Sequence, residues 1–227
     1  MNKISTERLT SIIPNKGKPL YTKVCGKQHT IQRAISCIGV ALHTGSKVYL
    51  TLHPAEQNTG IIFRRTDLTG SNNIRASWDN VVDTRLSTKI ANEQGDTVGT
   101  IEHLMAALSG CGVDNAYIEL DGPEVPVMDG SAQPFVSLIE EAGLCEQEAA
   151  GKIIEILKPV RVEIDDKLAE LTPSNDFCVS CDIDFCGTLI VNQSMTVIVN
   201  SETFKRELAP ARTFGFMHEV ERLKEAG

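Results

Sequence analysis

The sequence predicts an α+β protein of two modules. Two observations point there. Strand-forming runs are followed by helical patterns, and that order occurs twice, where a parallel α/β sheet would alternate them. The 227 residues suffice for one large or two small domains, and 41% hydrophobic with 23% charged residues is ordinary for a folded, soluble chain. No run of about 18 apolar residues occurs, so no integral membrane segment is expected. A net charge of −8 argues against a nucleic-acid partner.

The elements follow in order. Residues 1–29 carry Lys3, Arg8, Lys16, Lys18, Lys23 and Lys27 against one acid, Glu7. This basic stretch lacks an apolar core, which argues against a secretory signal. It reads as a disordered extension, with a targeting segment as the alternative. Thr30–Cys37, Lys47–His53 and Gly60–Thr66 read as strands, with Thr44-Gly45 as a turn and Asp67–Asn73 as a polar loop. Thr100–Gly110 reads as a helix ended by Gly110 and Gly112. Asn115–Leu120 is a strand, residues 121–126 a rigid loop, and Gln133–Ala142 a helix with Phe135, Leu138, Ile139 and Ala142 on one stripe. Composition shifts at Glu146–Gly151, a linker. Ile153–Ile164, Leu168–Leu171, Phe177–Phe185 and Ser194–Asn200 read as strands, and Ser201–Leu208 and His218–Ala226 as helices. The domain boundaries are therefore 1–29 (extension), 30–146 (domain I), 147–151 (linker) and 152–227 (domain II).

Seven cysteines, an odd number scattered through apolar segments, suit reduced thiols and a cytoplasmic location. Cys178-x-x-Cys181-x4-Cys186 has the look of half a zinc site. Its strand-like setting and the lack of a second ligand pair make core thiols the better reading.

The helix at Thr100 carries the chemistry. At about 100° per residue, Ile101, Leu104, Met105 and Leu108 form one stripe. His103 lies opposite, with Glu102 on the flank. That opposite side is filled by Ala106, Ala107 and Gly110 rather than by charged residues, so another layer can approach closely and Glu102 and His103 belong in a cleft. A carboxylate beside an imidazole serves metal-assisted hydrolysis, one group holding a cation and the other taking a proton from water. The same pair also suits a buried histidine beside an acid favoured by the helix dipole. Residues 126–131 form a turn leading to a helix cap, or a purely structural corner. P-loop, Rossmann and nucleophile-elbow signatures are absent.

Together the motifs are more specific. Gly39-Val40-Ala41-Leu42-His43-Thr44-Gly45, Arg64-Arg65-Thr66-Asp67-Leu68, the Thr100–Leu108 block, Asp114-Asn115, the Pro123–Ala132 block and Ala211-Arg212-Thr213-Phe214-Gly215-Phe216 occur in this order. The set closely resembles the UDP-3-O-acyl-N-acetylglucosamine deacetylases, zinc enzymes of lipid A biosynthesis, over about residues 30–227. The resemblance implies two sheet-plus-two-helix domains packed as a layered sandwich with helices inward. It implies a Zn2+ cofactor, UDP-3-O-acyl-N-acetylglucosamine as substrate, and hydrolysis of the N-acetyl group. It makes His103 a zinc ligand, Glu102 the general base and Thr213 a hydrogen-bond donor to the oxyanion. Phe214, Leu42, His43, Leu86 and Ser87 fall at substrate-binding positions. The pattern also calls for a His and an Asp in an H-K-x-x-D-type motif and a later His as general acid, none of which occurs before Gly227. The expectation is a complete first domain, an incomplete second domain and, for residues 1–227 alone, an inactive fragment. The alternative is a non-catalytic relative that keeps a UDP-sugar or acyl-binding cleft.

Overall fold

The computed structural model describes residues 24–70, 72–185, 188, 190–216 and 221. The chain divides into two units. One comprises residues 27–149 and 174–227; the other comprises the remainder, described at residues 24–26 and 150–173. The fold class is α+β, as the sequence predicts.

The larger unit is built on a five-stranded sheet of order β2-β3-β9-β4-β5, from β2 (Ile35–Val40), β3 (Lys47–Pro54), β4 (Ile61–Arg65), β5 (Asn73–Arg75) and β9 (Ala116–Leu120). Neighbours are antiparallel except β4 and β9, which run parallel. Alternation of side chains decides which face is buried. Val48, Leu50 and Leu52 of β3, Ile61 and Phe63 of β4, and Ala116, Ile118 and Leu120 of β9 point to one side. There they meet α1 (Glu102–Cys111) and α2 (Gln133–Ala142), which contribute Leu104, Ala107, Leu108, Phe135, Val136 and Ile139 to a single core.

β6 (Val81–Asp83), β7 (Lys89–Ala91) and β8 (Thr97–Val98) form a small antiparallel sheet between β5 and α1 in sequence. No element was expected there, because strands of two or three residues are too short to show a period. The strand expected over Thr30–Cys37 is two strands. β1 (Val24–Ile31) pairs with β10 (Leu144–Lys152), and the chain bends at Gln32, whose N–H donates to Gly143 O at 2.8 Å, before β2 begins. The expected extension therefore gives way to strand at Val24, and the linker expected at Glu146–Gly151 lies inside β10. Of Ile153–Ile164 only β11 (Val160–Ile164) is strand, hairpinned to β12 (Lys167–Leu171).

β13 (Cys178–Ile183) and β14 (Gln193–Ile198) form a second hairpin. Cys178 and Cys181 on it are exposed, which corrects the expectation of core thiols: the only buried side chain of the pair of strands is Val197. Cys186 and the expected helix His218–Ala226, save residue 221, lie outside the described residues. The helix expected over Ser201–Leu208 is one α turn, α3 (Ser201–Thr203), continued by a wider π turn, Phe204–Leu208. Its start is a capping box, with Asn200 Oδ1 accepting from Thr203 N and Thr203 Oγ1 accepting from Asn200 N, both at 2.9 Å.

This box delivers Phe204 onto α1. A methyl group added at Gly110 would lie 2.1 Å from the Phe204 ring, so Gly110 is a place of close approach and not the helix end. The end is Cys111, with Gly112 in the left-handed conformation (φ 77°). The small side of α1 does admit a second layer. Ala107, placed on that side from the sequence, is instead in the core with Cys111, while Met105 is half-buried.

Candidate active site

Three segments converge where α1 begins: the turn after β2, the loop before β7, and the loop after β9. The first and the third meet at the carboxylate of Glu124, which is almost fully buried. It accepts hydrogen bonds from Thr100 Oγ1 at 2.7 Å and from the His43 backbone N–H at 3.2 Å, and it lies 2.7 Å from His43 Nδ1. A buried carboxylate is tolerated only when its lone pairs are engaged this fully. His43, Ser87, Lys89, Thr100 and Glu124 line a cavity of about 250 Å³.

The backbone is strained at Thr100. Thr100 is buried with φ at 55°, a conformation that branched residues avoid and that costs about 1–3 kcal/mol. Leu86 (62°) and Met128 (54°) share it. Strained residues persist where surroundings over-determine them, and here Glu124 holds Thr100 by its hydroxyl.

Glu102 opens α1 and is half-buried; its Oε2 accepts from Thr88 N at 2.9 Å. That bond ties the Leu86-Ser87 segment to the helix start. Among the described residues no hydrogen-bond donor engages the other carboxylate oxygen. His103 is half-buried, and no side-chain hydrogen bond or ion pair engages its imidazole among the described residues. Both residues lie neither in the core nor fully in solvent.

The Pro123–Ala132 block folds over this region. Val127 N donates to Val40 O at 3.0 Å, and Pro126 packs so tightly on Gly39 that a Cβ there would be 2.6 Å from it. Ser131, fully buried, donates from its hydroxyl to Asp129 Oδ1 at 2.7 Å and accepts from the N–H of Gln133, the first residue of α2, at 3.2 Å. The Ser131 hydroxyl, with Arg212 nearby, holds the Asp129 carboxyl below the usual carboxylate range. Thr213 N donates to Gly130 O at 2.8 Å, so this block also fixes the Thr213-Phe214 segment. Thr213 is exposed, and Phe214, half-exposed, stacks edge-on with Phe185 and Phe216 at 5.4 and 5.7 Å between centroids.

The sequence-predicted residues thus fall into groups. His43 and Ser87 share the cavity. Glu102 is bonded to the residue after Ser87, with His103 beside it. Leu42 and Leu86 are exposed at the ends of their loops. Thr213 and Phe214 sit on the strap held by Gly130. Glu124 and Thr100 were not singled out from the sequence. Their signal was present inside two quoted motifs, but Glu124 read as part of the rigid loop 121–126 and Thr100 as the first residue of the helix.

The family model described as UDP-3-O-acyl N-acetylglycosamine deacetylase (LpxC) matches residues 28–227. The chain is 51% identical over 201 residues to a UDP-3-O-acyl-N-acetylglucosamine deacetylase of Idiomarina loihiensis, covering 88% of this chain and 66% of that protein. It is 50% identical to proteins of the same name from Myxococcus xanthus, over 200 residues, and Acidithiobacillus ferrooxidans, over 203, each alignment covering 88% of this chain and, respectively, 63% and 66% of the relative. The chain belongs to the UDP-3-O-acyl N-acetylglycosamine deacetylase family. It spans just under two thirds of the length of the curated relatives it matches.

Proposed function

We propose that the protein carrying this sequence hydrolyses the N-acetyl group of UDP-3-O-acyl-N-acetylglucosamine, a step of lipid A biosynthesis, in the cytoplasm. The observation that carries the reading is half-identity to deacetylases of that substrate over 88% of the chain. No helix among the described residues is long and apolar enough to cross a membrane.

Zinc belongs to the reading as the family's cofactor, with His103 as a ligand. A catalytic zinc has three protein ligands as a rule. No group of three or more His, Cys, Asp or Glu able to hold a metal occurs among the described residues, so they do not complete a zinc site. The roles below use only the chain's own side chains. Glu102, with one oxygen engaged by Thr88, accepts the proton of the attacking water through the other. The Thr213 hydroxyl donates to the oxyanion formed at the acetyl carbon. Leu42, His43, Leu86, Ser87 and Phe214 contact the substrate around the reacting amide.

The test compares Glu102→Ala and His103→Ala in the protein that carries this sequence, by amine release and by metal content. Glu102→Ala is expected to keep its zinc and lose about 10²–10⁴-fold in turnover. His103→Ala is expected to lose zinc. Equal zinc loss in both would refute the roles. Tight binding of the UDP-sugar without amine release in the unaltered protein would establish the second reading, a non-catalytic relative.

A further inference from the structure

We propose that Glu124 is a positioning residue that sets the His43 imidazole and the start of α1 as one unit. The inference rests on the proposed deacetylase reading for its effect on turnover, and on geometry alone for its effect on the ring. The carboxylate is buried and lies 2.7 Å from His43 Nδ1. A carboxylate that is ionised only accepts, so the contact requires a proton on Nδ1. Which imidazole nitrogen carries the proton is set by the partner of the other. Glu124 therefore fixes the Nδ1–H form and leaves Nε2 as the nitrogen available to a group entering the cavity that His43 lines. The His43 backbone N–H also donates to Glu124, which holds the residue as well as its ring.

The same carboxylate reaches the hydrolytic pair by a second route. Thr100 Oγ1 donates to Glu124 Oε1 at 2.7 Å, and Thr100 sits in the left-handed region two residues before Glu102. Its conformation directs the chain into α1. Releasing the hydroxyl frees Thr100 to relax and lets the first turn, with Glu102 and His103, shift. His43 and Glu102 are 59 positions apart in sequence, and Glu124 is bonded to the first and to Thr100, two residues before the second.

The experiment has two arms. In the first, nitrogen-detected NMR of the histidine rings in 15N-labelled residues 1–227 reads the proton position at His43. A proton on Nδ1 is expected in the unaltered chain, and its loss to a mixture of forms in Glu124→Ala. An Nε2–H-only ring in the unaltered chain, or an unchanged ring signal in folded Glu124→Ala, would overturn the proposal. Should Glu124→Ala not fold, Glu124→Asp serves, since it keeps the charge but draws the carboxylate back by one methylene; an unchanged Nδ1 proton there would overturn it equally. In the second arm, Glu124→Ala in the protein that carries this sequence is expected to lower kcat/KM about 10–100-fold, the usual effect of removing a group that orients a site residue. Combined with His43→Ala, the loss is expected to be smaller than the product of the two single losses. Independent, multiplying losses would show that Glu124 does not act through His43. Failure of the unaltered protein to release amine would refute the deacetylase reading, while the NMR arm would still decide the positioning role.

Discussion

Gly110→Ala tests the packing that shapes the outer side of α1. On an isolated helix the change would stabilise by about 1 kcal/mol, because alanine is the better helix former. Here the new Cβ would lie 2.1, 2.4 and 2.4 Å from three carbons of the Phe204 ring. Normal carbon contacts begin near 3.5 Å, so the ring must retreat by roughly 1 Å or more. Phe204 is buried and held from behind by the capping box at Asn200 and Thr203, which leaves it little room. Overpacking of this kind costs about 1–3 kcal/mol. With so deep an overlap the upper end applies, and the helix gain offsets part of it, leaving a net loss of about 2 kcal/mol. Urea unfolding followed by circular dichroism measures it. Adding Phe204→Leu to Gly110→Ala should recover part of the loss, since the smaller side chain vacates the overlap. A Gly110→Ala chain as stable as the parent would refute the reasoning, for it would mean that the 204–208 turn does not pack on α1.

Ser131→Ala removes a buried hydroxyl that bonds Asp129 and the N–H of Gln133, and a loss of about 1–3 kcal/mol in the same assay is expected. Arg65 grips Asp67 through two nitrogens and holds its carboxyl below the usual carboxylate range. Because the folded value lies below the unfolded one, the pair's stabilisation is present above about pH 3.9 and is lost as pH falls through the lower folded value. The stability gap between the parent and Arg65→Met should therefore narrow in acid, and a pH-independent gap would contradict the pairing. Among the described cysteines, a disulfide reagent at pH 8 should react fast with exposed Cys145, Cys178 and Cys181. It should react slowly with Cys37 and Cys111, whose thiols burial pushes up. Peptide mapping after a short pulse decides this. Residues 1–227 stripped with chelator and titrated with zinc should hold it only weakly, since the described residues bring together no group of three metal ligands; a tight equimolar site would overturn that expectation.

The readable part of the fold is the part where periodicity meets burial. β3, β4 and β9 alternate buried and open positions, and the sequence alternates with them. α2 announced itself by Phe135, Ile139 and Ala142 on one stripe, to which the structure adds Val136. The elements that escaped notice lack that link. β6, β7 and β8 are too short to have a period. β10 reads as a polar linker because only Gly151 among its residues is buried, so nothing in its composition marks it as strand. Cys178 and Cys181 were misplaced for the converse reason. Apolar alternation implies burial only where a second layer covers the strand, and over β13 the described residues supply cover for little but Val197 of its partner.

The candidate site was legible as a set of motifs and not as a geometry. Local spacing brings Glu102 and His103 together, so a sequence can display that pair. Nothing local brings Glu124 to His43, 81 positions away, or predicts that Thr100 will bond the same carboxylate across 24 positions. Such a junction exists only after β3 and β9 have paired, which carries the turn after β2 and the loop after β9 to the same end of the sheet. The motifs then become intelligible as parts of one object. Gly39 is small because Pro126 must pass it, Glu124 is acidic because the Thr100 hydroxyl and the His43 backbone N–H donate to it, and Thr100 keeps a hydroxyl in a conformation that glycine would adopt more easily. The last point distinguishes a functional arrangement from a merely tolerated one. Glycine at position 100 would relieve the strain and lose the bond, so Thr100→Gly should free the backbone while loosening the start of α1, whereas Thr100→Ser should keep both the bond and the geometry.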